Sequence, residues 1–99
     1  MHITLRIRAG LPSLRGRREL RVLHGCFASA SSDAFRLCEF SVQSTHIHLI
    51  VEASGKSALS TGVQGLAVRI ARRVNRLWKR RGIFFAEVRN ALVYVLQNA

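Results

Sequence analysis

The chain has 99 residues, 48% of them hydrophobic, and a formal net charge of +11 from 16 lysines and arginines against five acidic residues. This length fits one small domain over residues 1–99, and this composition excludes a disordered tail. No apolar run approaches membrane-spanning length and the amino-terminal residues show no signal-peptide core, so we expect a cytoplasmic protein. The strong positive charge predicts a polyanionic partner, and nucleic acid is the first candidate.

In the first half of the chain, apolar and polar residues alternate over residues 3–8, which predicts a first strand. A helix is predicted over residues 14–30, with Ser13 as its cap. Two strands follow over residues 35–43 and 46–53. The short polar segment between them indicates a hairpin.

The second half carries a long helix, predicted over residues 57–81 from apolar residues spaced by three and four. Gly65 inside this helix indicates close packing against a neighbour or a ligand, because glycine is a poor helix former. A last helix is predicted over residues 86–98. The order is therefore β-α-β-β-α-α, an α+β fold in which helices cover one face of an antiparallel sheet and leave the other free.

A stripe of arginines runs beside the apolar stripe of the long helix, at spacings of three and four. Its members are Arg69, Arg72, Arg73, Arg76 and Arg80. A charged stripe is usually only a solvated face, but these arginines have no interleaved acids, so we favour a surface that binds nucleic-acid phosphates. A basic peripheral membrane protein is a weaker hypothesis, because Trp78 is the only aromatic residue in this helix.

Two histidines, His46 and His48, stand in an apolar run over residues 45–51. In an extended strand both imidazoles leave the same face, side by side, where one divalent cation could bridge them. A half-buried strand often carries two polar residues on its solvent face, so this short motif needs structural support. Two imidazole ligands would leave open positions for water, a third protein ligand or a phosphate oxygen.

Taken together, these segments resemble the single-tyrosine HUH nucleases of the transposase type, and among them the REP-associated tyrosine transposases. The resemblance spans nearly the whole chain. It is carried by His-Ile-Thr-Leu-Arg at residues 2–6, Phe-Ser-Val-Gln-Ser-Thr-His-Ile-His-Leu-Ile-Val-Glu at residues 40–52, Gln-Gly-Leu at residues 64–66 and Val-Arg-Asn-Ala-Leu-Val-Tyr-Val-Leu-Gln-Asn at residues 88–98.

The resemblance implies a ferredoxin-like fold and the cleavage and rejoining of single-stranded DNA through a 5′-phosphotyrosine intermediate. By position, His46 and His48 correspond to two metal ligands and Tyr94 to the nucleophile. Asn98, or otherwise Gln97, corresponds to the third ligand. The resemblance also implies magnesium or manganese as the metal, hairpin-forming repeats as a candidate substrate, and a homodimer as a candidate assembly.

The chain departs from this family between the long helix and the tyrosine helix, where members carry a further strand. Here residues 83–85 alone separate Gly82 from the predicted last helix, and three residues span only about 10 Å. A strand is therefore predicted to be missing, and the leading hypothesis is a metal-dependent enzyme that cleaves and rejoins DNA, or a degenerate copy of it with impaired activity. The alternative is a non-catalytic basic module that binds single-stranded nucleic acid, with vestigial histidines.

Overall fold

The computed structural model describes residues 1–82 and 84–89 of the chain. Within this part, strands and helices follow one another in the order β-α-β-β-α-β. The elements are β1 (His2–Ile7), α1 (Arg17–Ala28), β2 (Phe35–Val42), β3 (His46–Ala53), α2 (Lys56–Leu77) and β4 (Phe85–Arg89). The predicted α+β class is confirmed, as is the hairpin formed by β2 and β3.

The four strands form one sheet in the order β2-β3-β1-β4, and every neighbouring pair is antiparallel. This is the ferredoxin-like arrangement, in which β1 and β3 occupy the centre and helices connect strands across the sheet. In the central pair, Thr4 lies opposite His48 and Arg6 lies opposite His46. The register therefore places the histidine segment beside the first residues of the chain.

The core lies between the sheet and the two helices. From the central strands, Ile3, Leu5, Ile47 and Leu49 are fully buried. The helices cover them with apolar side chains spaced by three and four residues, among which the buried ones are Leu23, Phe27, Leu59, Val63, Leu66, Ile70 and Val74. Because successive strand side chains point to opposite faces, the residues between the buried ones point to the open face of the sheet.

The helix α1 begins at Arg17, three residues later than predicted, and the Ser13 hydroxyl does not cap it. Instead that hydroxyl accepts a hydrogen bond from the backbone N–H of Arg15, at 3.1 Å. Leu14 is fully buried, and its backbone N–H donates to the carbonyl oxygen of Ser44. The segment before α1 therefore forms a turn that the buried Leu14 holds against the β2–β3 hairpin, and the helix begins only after this turn.

The predictions of a missing strand and of a helix from residue 86 are wrong, because Phe85–Arg89 forms β4 and pairs with β1. The helix α2 ends at Leu77 and not at residue 81, so the chain can reverse before β4 begins at Phe85. Lys79, with φ of 55°, and Gly82, with φ of 100°, adopt left-handed conformations that make this reversal. The remainder of the predicted last helix lies outside the described residues.

Aromatic stacking and one hydrogen bond hold this reversal against the rest of the fold. The indole Nε1 of Trp78 donates to Glu19 Oε2 at 2.8 Å, and the Trp78 ring stacks on Phe84 with centroids 5.8 Å apart. The hydrogen bond from Trp78 lowers the pKa of the Glu19 carboxyl below its ordinary value. Trp78 thus packs against the protein through both its ring and its indole nitrogen. In the described part of the chain, neither helix is long and apolar enough to cross a membrane.

Close packing occurs at Gly62 of α2, not at Gly65 as predicted. A Cβ atom at Gly62 would overlap the ring of Phe35, whereas a Cβ at Gly65 would have no heavy atom within 4 Å. Gly62 therefore lets α2 approach β2. Gly65 lies on the exposed side of the helix and has no such role.

These two glycines form a matched pair of stability tests. We expect Gly62→Ala to lower the free energy of unfolding by about 1–3 kcal/mol, because the added methyl group forces Phe35 or the helix to move. Gly65→Ala should raise the free energy of unfolding by up to about 1 kcal/mol, because alanine is the better helix former and the site is open. Denaturant unfolding of both variants measures these changes, and equal effects of one sign would contradict the packing described.

Candidate active site

His46 and His48 lie on the open face of β3, because they alternate with the buried Ile47 and Leu49. Their ring centroids are 4.8 Å apart and the rings meet edge to face at 89°. Both side chains are half-buried. The structure therefore brings the two predicted ligands together on the face that the helices leave uncovered.

A third histidine, His2, joins this pair from β1, and the sequence motifs did not single it out. Its Nε2 atom lies 3.0 Å from His48 Nδ1, and the two rings stack with centroids 5.1 Å apart. The hydroxyl of Thr4 lies 3.3 Å from the same His48 atom. The alternation of β1 already assigned His2 and Thr4 to its polar face, but only the pairing with β3 shows that His48 is their neighbour.

The Nε2 atoms of His46 and His48 are the ring nitrogens available to a ligand. His46 Nδ1 lies 3.2 Å from the hydroxyl of Thr45, and His48 Nδ1 faces His2 and Thr4. Among the residues that the structure describes, no hydrogen bond involves either Nε2 atom. Two imidazoles with unengaged Nε2 atoms suit a divalent transition metal such as manganese.

The described residues supply this pair of imidazoles but not a complete ligand set. Within residues 1–82 and 84–89, no group of three or more histidine, cysteine, aspartate or glutamate side chains could hold a metal ion. The remaining ligands of a metal would have to come from water, from a substrate oxygen or from a residue elsewhere in the chain. Tyr94, Gln97 and Asn98 lie outside the described residues, so their assigned roles stay predictions.

The predicted arginine stripe lies on the other side of the molecule from the histidines. Arg72, Arg73 and Arg76 are exposed on α2, in the helical layer. Arg69 instead donates to the carbonyl and hydroxyl oxygens of Ser29, at 3.1 and 3.0 Å. Arg80 hydrogen-bonds to the side chain of Asn75.

An open groove of about 640 Å³ separates α1 from α2 and is lined by Arg21, Arg73 and Arg76 together with Val22, Gly25 and Leu77. Three guanidinium groups around one groove form a local concentration of positive charge suited to phosphate. Arg21 comes from α1 and was not part of the predicted stripe. The structure therefore extends the basic surface from one helix to two.

On the open face, one positive residue in register with the histidines is Arg6. It is exposed, and it lies directly opposite His46 in the β1–β3 pair. Directly opposite residues of an antiparallel pair project on the same face, so Arg6 can reach an anion held beside the imidazoles. The sequence pattern places Arg6 in a strand but does not connect it to the histidine motif.

Comparison with protein-family models gives a match over residues 1–88 to the family described as "Transposase IS200 like". The chain belongs to this family. The match contains all four strands up to residue 88 of β4, and therefore both histidines of β3 and the two helices. Membership in a transposase family implies that the partner is DNA. A search of curated proteins found no match.

His2, His46 and His48 lie side by side and form the histidine row. Their arrangement predicts the direction in which the pKa of His48 shifts. Burial lowers the pKa of His48 below its ordinary value, and the nearby His46 and His2 lower it further by charge repulsion. Protonation of His48 is therefore less favourable in the folded protein than in the unfolded chain. Keeping His48 unprotonated therefore stabilises the fold when the pH is above the pKa of histidine in the unfolded chain. This stabilisation is lost as the pH falls through the lower pKa of His48 in the folded protein.

An NMR titration of the histidine rings measures this effect. We expect the His48 midpoint to lie below that of an ordinary histidine, and to rise in His46→Ala because one repelling charge is removed. His24→Ala serves as the control, since His24 lies on α1 and its ring contacts Phe27 and Phe40. A His48 midpoint that rises equally in both variants would show that the contacts on the open face do not cause the shift.

Proposed function

We propose that this IS200-like transposase cleaves and rejoins single-stranded DNA in a metal-dependent reaction with a 5′-phosphotyrosine intermediate. The observation that carries the proposal is the pair of adjacent imidazoles, His46 and His48, with unengaged Nε2 atoms on the open face of the sheet. A pair of this kind in a chain of a transposase family favours chemistry on DNA over a purely structural role for the histidines.

In this proposal His46 and His48 hold a magnesium or manganese ion through Nε2, and Asn98, or otherwise Gln97, supplies a third ligand. When bound, such an ion polarises the phosphodiester to be cleaved as a Lewis acid. The donor set fits in kind, because imidazole and amide oxygen are both ligands of manganese. Arg6, opposite His46, is placed to bind a non-bridging phosphate oxygen and so to orient the scissile phosphate.

Tyr94 is the proposed nucleophile, and it is the only tyrosine in the chain. Its phenolate oxygen attacks phosphorus, a bond from that oxygen to phosphorus forms, and the bond from phosphorus to the 3′ oxygen breaks. The leaving oxygen takes up a proton and becomes a free 3′-hydroxyl. Attack of a 3′-hydroxyl on the phosphotyrosine reverses these steps, so rejoining needs no external energy source.

The exposed arginines of the helical layer are proposed to bind the DNA backbone away from the reacting phosphate. Because they lie across the sheet from the histidines, binding and cleavage should be separable by mutation. Hairpin-forming repeats are the proposed DNA class. A homodimer is the proposed assembly, and light scattering of the protein in solution tests it directly.

A cleavage assay tests the catalytic proposal. The protein is incubated with Mn²⁺ and a pool of 3′-labelled single strands that contain hairpins and a randomised segment. We expect a protein band that carries the label in a denaturing gel, because 5′-phosphotyrosine joins the protein to the fragment that bears the 3′ end. Tyr94→Phe and His46→Ala should each abolish the labelled band.

The control His24→Ala removes a histidine from α1 and should retain the labelled band. An adduct that persists in Tyr94→Phe would refute the nucleophile. DNA retention on a filter by the wild-type protein without any adduct, at all metal concentrations, would instead support the non-catalytic binding module.

Salt dependence tests the arginine surface. We expect the double variant Arg72→Ala/Arg76→Ala to bind single-stranded DNA more weakly, and the slope of log affinity against log salt to become shallower by about 0.7 for each phosphate that the variant no longer neutralises. Arg17→Ala/Lys56→Ala removes the same charge from other exposed positions and should change the slope less. Equal slopes for the two double variants would mean that only the net charge matters.

A further inference from the structure

We propose that His2 is a positioning residue that holds the imidazole of His48 in the tautomer required for metal binding. This inference rests on the proposed function, since it concerns the same pair of histidines. It starts from the 3.0 Å contact between His2 Nε2 and His48 Nδ1, which joins β1 to β3.

A neutral histidine carries one ring proton, and the nitrogen that binds a metal must be the other one. If His48 binds through its unengaged Nε2, its proton has to reside on Nδ1. That proton then needs an acceptor, and His2 Nε2 at 3.0 Å is nearer than the Thr4 hydroxyl at 3.3 Å. His2 thus accepts from His48, in the way that outer groups commonly orient metal-binding histidines.

Two observations distinguish this role from direct ligation by His2. Among the described residues, no three histidine, cysteine or acidic side chains converge as a metal site, although His2 is within contact of His48. The Nε2 atom of His2 also faces the Nδ1 edge of His48, whereas the unengaged nitrogen of His48 is Nε2. His2 therefore lies behind His48 with respect to the nitrogen that would bind the metal.

A purely structural role is also a poor explanation, because the His2 side chain is exposed and contributes nothing to the buried core. The backbone pairing of β1 with β3 extends beyond His2 toward the start of the chain. His2 lies opposite Ile50, and the Val51 N–H donates to the Met1 carbonyl. Strand pairing at this point does not depend on the imidazole. Replacing the side chain should accordingly alter His48 and leave stability nearly unchanged.

Long-range ¹⁵N NMR of the histidine rings in the full chain, without metal, reads the tautomer directly. We expect His48 to be protonated on Nδ1 in the wild type, and His2→Ala to raise the fraction protonated on Nε2. His2→Glu should restore the wild-type tautomer, because an ionised carboxylate accepts hydrogen bonds and cannot donate one. Thr4→Val and His24→Ala are the controls, and both should keep the wild-type tautomer.

Calorimetric titration with Zn²⁺, a diamagnetic probe of the same two histidines, gives the second readout. We expect His2→Ala to weaken zinc binding by about 10–100-fold and His2→Glu to bind zinc at least as tightly as the wild type. His46→Ala should abolish the site. These results, with the tautomer change, would support the positioning role.

Three outcomes overturn it. Unchanged tautomer and zinc affinity in His2→Ala, with loss of zinc binding in His46→Ala, would leave the metal site standing and remove His2 from it. A large ¹⁵N shift of His2 Nε2 on zinc binding would make His2 a direct ligand. Absence of zinc binding in the wild-type protein would overturn the proposed metal site and this inference together.

Discussion

The antiparallel register between β1 and β3 is the constraint on which the rest of this structure depends. It places Ile3, Leu5, Ile47 and Leu49 on one face, where the helices bury them completely. A shift of one residue in either strand would turn the histidines into the core and the apolar side chains into solvent. Burial of the apolar set and the assembly of the histidine row are therefore consequences of the same pairing.

The fold places the candidate metal-binding histidines and the arginine-lined groove on different sides of the molecule. The histidines and Arg6 occupy the open face of the sheet, whereas the groove lined by Arg21, Arg73 and Arg76 lies between the helices. The hydrophobic core stands between the two surfaces, so one short stretch of DNA backbone cannot contact both. A DNA that used both would have to pass around an edge of the sheet.

The passage from α2 to β4 shows how a short connection can still complete the sheet. The helix ends at Leu77, and the left-handed residues Lys79 and Gly82 reverse the chain before β4 begins. The hydrogen bond from Trp78 to Glu19 connects this reversal to α1. Phe84 is buried in the core, and the strand that follows it pairs with β1. The apolar spacing after Phe85 favours a helix locally. Pairing with β1 nevertheless makes Phe85–Arg89 a strand, because tertiary contacts override local preference.

The sequence by itself determined the class of the fold, the β2–β3 hairpin, the inward face of α2 and the shared face of His46 and His48. Each of these follows from a local period of two or 3.6 residues, which needs no knowledge of distant contacts. Only the tertiary structure decided that His2 contacts His48, that Gly62 and not Gly65 is closely packed, and that Phe85–Arg89 is a strand. The physical reason is that strand register, helix approach and edge pairing join residues far apart in the chain, so no local pattern can specify them.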